Sequence, residues 1–306
     1  MADNMSDTAS FEKISFFDEI AANKGQSLVL LFCMFALYLA LIWIISETFG
    51  IGIFAVIIGL IVLVFYAIIG YFMGSSIILK MSGAKRVARE EYPYLYLTVE
   101  GLCAANAIKP PQIYMIEDPS PNAFVVGRNP NNSSLAVTRG LIEIMDKDEL
   151  TAVLAHEISH IATYDIRFML FAVVFAGAIA MLSDIVLRGF IYGRRGSDRR
   201  GGGGGPLILI AIVFMILAPI FAELIRFAIS RKREYLADAN GARMTRAPHN
   251  LASALEKIAK INKPVANATD TTAPLYFSRP RPNRFYHIFS THPPTEERIK
   301  KLRAMA

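Results

Sequence analysis

The sequence predicts an α-helical membrane protein with about four transmembrane helices. It also predicts a mainly α, α+β soluble domain built around one metal-binding helix. Three observations lead there. Long apolar runs recur four times, at 27–46, 51–79, 168–187 and 206–222, and no Lys, Arg or Glu interrupts them. Short β-like runs, Gln112–Ile116, Ala123–Val126 and Ser134–Thr138, stand between them among turn residues. The pattern His156-Glu157-Ile158-Ser159-His160 lies where apolar residues recur at helical spacing.

Composition supports the class. The 306 residues are 54% hydrophobic, with a mean hydropathy of +0.39, more apolar than an ordinary soluble domain. The net charge of +6 fits cytoplasmic flanks of membrane helices. There is no basic patch interleaved with aromatics, so no nucleic-acid partner is expected. The two cysteines, Cys33 and Cys103, make neither a disulfide framework nor a cysteine zinc site. Acidic residues precede the first apolar run, so the start does not read as a cleaved signal peptide.

Taken in order, residues 1–26 form a polar tail and 27–79 a transmembrane hairpin turning at Glu47–Gly50. Trp43 and Tyr71 suit its interfaces, and Gly50, Gly52, Gly59, Gly70 and Gly74 suit close helix packing. Residues 80–167 hold the first half of the soluble domain, with a helix over Glu90–Ala107 that Pro110-Pro111 stops. Its active-site helix starts at an Asp146 N-cap with Glu149 as capping-box partner. Leu150, Val153, Leu154, Ile158 and Ile161 then continue the helix unbroken to the next apolar run. Residues 168–228 form a second membrane hairpin around an Arg/Gly-rich loop containing Gly201–Gly205. The alternative is that these two runs lie along the membrane interface. Residues 229–306 complete the soluble domain, with an amphipathic helix over Leu251–Ile261 and a last helix capped by Thr295.

On a helix, His156 and His160 lie one turn apart on one face and can grip one metal ion. Glu157 stands beside the first and can reach a water at that metal, the arrangement of a zinc peptidase. A catalytic zinc takes a third protein ligand. Arg233-Glu234-Tyr235-Leu236-Ala237-Asp238 offers Glu234, with Asp238 one turn further to bond a ligand histidine through its other nitrogen. His160 lies eight residues before Phe168, where the third apolar run begins, and Glu234 eight after Arg226, which closes the helix of the fourth. An antiparallel hairpin would therefore bring both to one height, about 12 Å above the membrane. The donor set suits zinc, although ligands alone also admit iron or manganese.

At these residues the chain resembles the HtpX family of membrane-bound zinc metalloproteases, relatives of the CAAX prenyl proteases. The resemblance rests on His156-Glu157-Ile158-Ser159-His160 with Asp165 beyond it, on Arg233 to Asp238, and on Thr291-His292-Pro293-Pro294-Thr295-Glu296-Glu297-Arg298. It covers about residues 25–306. It implies a zincin-like domain with one Zn2+ per chain, held by His156, His160 and Glu234, with Glu157 as base. It also implies a substrate-binding edge strand at Asn122, Ala123 and Phe124. His292 would stand near the site as a donor to the oxyanion or substrate. Read from sequence alone, His292 is a loop residue held by Pro293-Pro294, and His249 and His287 are surface residues.

The expected activity is endoproteolysis of cytoplasmic segments of unfolded or misfolded membrane proteins, in stress response and quality control. The expected setting is the inner or plasma membrane, with multi-pass topology and the active site facing the cytoplasm. The lipid bilayer and other membrane quality-control proteases are the further partners. Lysines and arginines around 80–89 and 231–233 favour that orientation, while five arginines in 188–200 oppose it. Two other readings stand beside this one. A CAAX-type prenyl-peptide protease would need more spanning segments, and a scaffold with a structural zinc would not need Glu157.

Overall fold

The structure, a computed structural model, describes residues 16–49, 52–175, 177–178, 231–261, 263–269, 272–278 and 293–305. Helices α1 (Phe16–Phe49) and α2 (Ile53–Met81) form a hairpin that turns beside Gly52, whose φ of 75° suits glycine. Ala21–Ile44 and Val56–Met81 are long and apolar enough to cross a membrane. Their outer faces expose Phe32, Phe54, Ile58, Phe65 and Phe72, the pattern of a lipid-facing surface. Gly59 admits Ile42 of the neighbouring helix, because a Cβ there would lie 2.7 Å from its Cγ2.

The soluble part begins with β1 (Lys85–Arg86) and α3 (Pro93–Ala105). α3 starts later than its apolar positions suggest, because Pro93 occupies the first turn, where a missing N–H costs nothing. It also ends before Pro110, at Asn106, where Ala107 turns with φ 52°. Strands β2 (Gln112–Ile116), β3 (Ala123–Asn129) and β4 (Asn132–Thr138) join β1 in a sheet of order β1-β2-β4-β3. β2 and β4 run parallel, and β3 is an edge strand antiparallel to β4. Both faces are covered. Ile113, Val125, Leu135 and Val137 join the soluble core. Phe124, Val126 and Ala136 share a cluster with Ile78 and Leu79 at the end of α2. This double burial explains why these strands read as apolar runs rather than alternating ones.

After α4 (Arg139–Ile144) comes α5 (Lys147–Ala162), which carries the histidines. The expected unbroken helix into the third apolar run does not exist. α5 stops at Ala162, and α6 (Asp165–Phe175) continues at 81° to it. At the break the Thr163 hydroxyl bonds the Ser159 carbonyl, and Tyr164 adopts a left-handed φ of 63°. Apolar spacing continues across the bend, so periodicity cannot reveal it. α6 packs on the membrane hairpin: Phe168 and Phe175 share a cluster with Leu30, Met34 and Tyr38. Gly70 and Gly74 leave room for Val174 and Leu170. The rest of the third run, all of the fourth and the Arg/Gly loop lie outside the described residues, so two candidate spans stand where four were expected.

α7 (Arg231–Thr245) lies against α5, and α8 (Pro248–Ile261) closes the core with its buried Leu251, Leu255 and Ile258. The last helix, α9 (Thr295–Arg303), begins differently from the expectation. Pro294 is its N-cap residue, Thr295 is the first helical residue, and no side chain caps it.

Candidate metal centre

The site is built on the second half of α5, and the helix is anchored at its start. The Asp146 carboxylate accepts from the backbone N–H of Asp148 and Glu149, at 3.0 and 2.8 Å, and the Glu149 side chain accepts from the N–H of Asp146 at 3.1 Å. This capping box fixes the start of the helix. Glu149 is further held by Ser253 and Lys257 of α8. Three turns on, His156 and Glu157 are buried, while His160 keeps a small exposed edge.

α7 crosses this helix closely because Gly241 has no side chain. A Cβ there would lie 3.0 Å from the His156 nitrogen and 3.2 Å from its Cα. The approach brings Glu234 to the histidines. Nε2 of His156 and Nε2 of His160 are 3.2 Å apart, and the Glu234 oxygens lie 3.9 and 3.8 Å from them. Four-coordinate zinc, with bonds of about 2.0–2.2 Å, separates its ligand atoms by roughly 3.3 Å. Two imidazoles and a carboxylate at these separations therefore fit a zinc ion.

Each histidine is held from behind by a carboxylate, and each carboxylate by an arginine. His156 Nδ1 lies 2.9 Å from Asp238 Oδ1, and the buried Arg298 bonds Asp238 through Nε and Nη2 at 2.8 and 2.7 Å. His160 Nδ1 lies 3.0 Å from Asp165 Oδ2, and Arg233 Nη1 donates to Asp165 Oδ1 at 3.2 Å. The Arg233 guanidinium also lies 3.9 Å from the Phe168 ring centroid, which ties the site to the first turn of α6. Contacts to the outer nitrogens leave both Nε2 atoms turned toward Glu234.

Burial and charge set the protonation pattern. Burial pulls the His156 imidazole down to about 4, although Asp238 opposes it. Burial also acts against a charged His160, but the Asp165 hydrogen bond and the charges of Glu234, Asp165 and Glu157 outweigh it and raise His160 to about 9. Burial lifts Glu157 to about 7, with the Glu234 charge adding to the rise. His160, Arg298 and a hydrogen bond from the Val125 backbone hold it from going higher.

The edge strand is engaged by the chain itself. The Phe277 N–H donates to the Ala123 carbonyl at 2.8 Å, and Asn122 exchanges hydrogen bonds with Ser278. Phe277 packs edge-on against His156, with ring centroids 4.9 Å apart, and its carbonyl accepts from Arg298 at 3.1 Å. Phe124 points to the other face of the sheet, 4.9 Å from Tyr276. Of the predicted edge-strand residues, the outward backbone of Ala123 and the side chain of Asn122 thus already have partners. Val125, two residues on, is the one that meets Glu157.

His156, Glu157, His160, Glu234 and Asp238 come together, while His292 and His287 lie outside the described residues and His249 is exposed on α8. Arg233, Arg298 and Asp165 stand in the motifs that carry the resemblance but were given no role in the site, and Phe277 was not singled out. Arg233 read as a membrane-flanking charge, yet it is buried. The available signal was its position: an arginine directly before Glu234 shares that helix's inward arc.

Comparisons with known proteins give the family. Peptidase family M48 matches residues 91–306, and the chain belongs to that family of zinc metalloproteases. Among curated relatives it is 43% identical over 291 residues to a protein named Protease HtpX homolog from Dictyoglomus thermophilum, covering 95% of each chain. A protein of the same name from Streptococcus gordonii is 42% identical over 301 residues, covering 94% of this chain and 99% of its own. The one from Tropheryma whipplei strain Twist is 43% identical over 241 residues, covering 78% and 82%. The crystal structure of S. mikatae Ste24p superposes with a TM-score of 0.49 at 18% identity, over 94% of this chain and 67% of that one. The protein is a membrane-bound metalloprotease.

Proposed function

We propose that His156, His160 and Glu234 hold one zinc ion per chain and that Glu157 is the general base of peptide hydrolysis. The observation that carries this reading is the convergence of the three donors beside a buried carboxylate raised to about 7. A carboxylate in that position can both accept and return a proton. Bound there, zinc supplies the Lewis acidity that acidifies water and polarises a carbonyl. Glu157 accepts a proton from the attacking water and delivers it to the leaving amine. Asp238 and Asp165 hold the two imidazoles in the orientation that presents Nε2. The Val125 N–H anchors the Glu157 carboxylate. A substrate chain pairs in extended form with β3, where backbone hydrogen bonds give affinity without demanding one sequence. It must displace Phe277 to use Ala123.

The substrates are unfolded or misfolded membrane proteins cut in their cytoplasmic segments, in the inner or plasma membrane, by a multi-pass enzyme whose site faces the cytoplasm. The basic flanks at Lys80, Lys85, Arg86 and Arg89 support the orientation. The test is metal analysis of the detergent-purified protein together with cleavage of an unfolded membrane protein. One zinc per chain and cleavage lost in Glu157→Gln are expected. Cleavage by Glu157→Gln at the normal rate would remove Glu157 as the base.

A further inference from the structure

Three connections tie the site to the membrane hairpin. Hydrocarbon about 30 Å thick takes about 20 helical residues, which, counted from the hairpin turn, reach Leu30 on α1 and Phe72 on α2. At that level Arg128, in the last turn of β3 before its hairpin, stacks on the membrane helix. Its Cζ lies 4.8 Å from the Phe72 ring centroid and 5.5 Å from that of Tyr71. A guanidinium beside an aromatic pair marks the headgroup layer, since burial in hydrocarbon would be prohibitive.

From Arg128, β3 runs back along α2 to the site. Phe124 and Val126 share a cluster with Ile78 and Leu79, so the strand climbs as the helix climbs. Three strand residues, Arg128 to Val125, rise about 10 Å. Seven helical residues, Phe72 to Leu79, also rise about 10 Å. Val125 bonds Glu157. On the other side of the site the Asn23 amide donates to the Thr163 carbonyl at 2.9 Å, and Lys24 lies 4.2 Å from the Tyr164 ring centroid. Asn23 is seven residues beyond Leu30, again about 10 Å, and Thr163 is one turn from His160. The third connection is α6, whose Phe168 already packs with Leu30 and Met34. Leu28, Met73 and Ile77 are exposed above the counted boundary and Asn131 and Asn132 lie below Arg128, so the count gives a height of about 10 Å.

We propose that the strand is a ruler set on the membrane surface. The protease takes the unstructured chain immediately adjoining a transmembrane segment, pairs it with β3 from the Arg128 end, and cuts it close to the bilayer. Phe277 and Ser278 engage the other end of the strand, so a paired chain extends toward Arg128 and the membrane. This rests on the endopeptidase reading above and names its substrate class. At about 3.3 Å per extended residue, three residues between the hydrocarbon and the scissile bond suffice to reach Glu157. Longer spacers also reach it, with efficiency that falls slowly as the effective concentration drops.

The test uses the full chain in liposomes with a set of single-span proteins. All carry the same unstructured segment, placed at increasing distance from the span, and cleavage sites are mapped by mass spectrometry. Cleavage should begin at bonds about three to five residues from the span and decline gradually with distance. A requirement for ten or more residues, or cleavage indifferent to distance, would overturn the ruler while leaving the protease reading intact. Failure to cut even a detergent-solubilised unfolded membrane protein would remove the protease reading, and the ruler with it. A second measurement needs no activity. A fluorophore at the exposed Asn131, on the β3–β4 turn, should be quenched by nitroxides at headgroup depth in a lipid bilayer. Absence of quenching there would overturn the placement.

Discussion

Replacing Arg298 with Met tests the electrostatic frame of the site. Arg298 is 2% exposed and bonds both Asp238 oxygens, at 2.8 and 2.7 Å, while its Nη1 lies 3.6 Å from Glu234. Methionine keeps much of the apolar stem but removes the charge. Asp238, itself 2% exposed and held below the usual carboxylate range, then keeps its charge with only the neutral His156 imidazole as partner. Burial opposes that charge, and it is Arg298 first, then His156, that sustains it. Removing one partner of a buried pair costs about 3–5 kcal/mol. The loss should be measured by chemical denaturation in detergent with a chelator in excess, because a bound cation would shield the orphaned carboxylates. Adding Asp238→Asn removes the second charge, so the double variant should recover at least about 2 kcal/mol relative to the sum of the single changes. A cost below about 1 kcal/mol for Arg298→Met, or simple additivity in the double variant, would refute the view that this buried pair organises the site.

Glu157→Gln should retain zinc and lose at least about a hundredfold in cleavage rate, measured on one unfolded substrate. Asp238→Ala and Asp165→Ala should each weaken zinc affinity about ten- to a hundredfold, read by competition with a metal chelator. An unchanged affinity would return either residue to a purely structural role. Gly241→Leu should cost about 1–3 kcal/mol of stability through overpacking, and lower zinc occupancy by pushing α7 and Glu234 away from α5. Thermal unfolding and metal analysis check both effects, and full occupancy would show that helix spacing does not set the ligand distance.

Much of the fold was legible where local chemistry decides it. The capping box at Asp146 and Glu149 depends on neighbours three residues apart, and all its bonds form. The three strand runs lie where β-branched and apolar residues cluster between turns. Asp238 was legible as the partner of a histidine because Glu234 and Asp238 share one helical face, and it does contact His156. What escaped depends on tertiary geometry. The bend at Thr163–Tyr164 keeps apolar spacing on both sides, so the sequence looks continuous where the backbone turns by 81°. That bend also replaces the straight helix used to set the ligands at one height. The convergence of Glu234 on the histidines comes instead from the close approach at Gly241. Arg233 and Arg298 escaped because arginine is usually a surface residue, and only long-range contacts with Asp165 and Asp238 make their burial tolerable.

Two distant segments of the chain meet, in the proposed site, at one zinc ion. Zinc-edge X-ray absorption on the purified full chain, with metal quantified on the same sample, tests it most directly. About one zinc per chain is expected, surrounded by nitrogen and oxygen at roughly 2.0–2.2 Å, with imidazole scattering from two histidines. In Glu234→Ala, one oxygen ligand or most of the metal should be lost. Sulfur in the shell, or a wild-type spectrum and full occupancy in Glu234→Ala, would contradict it.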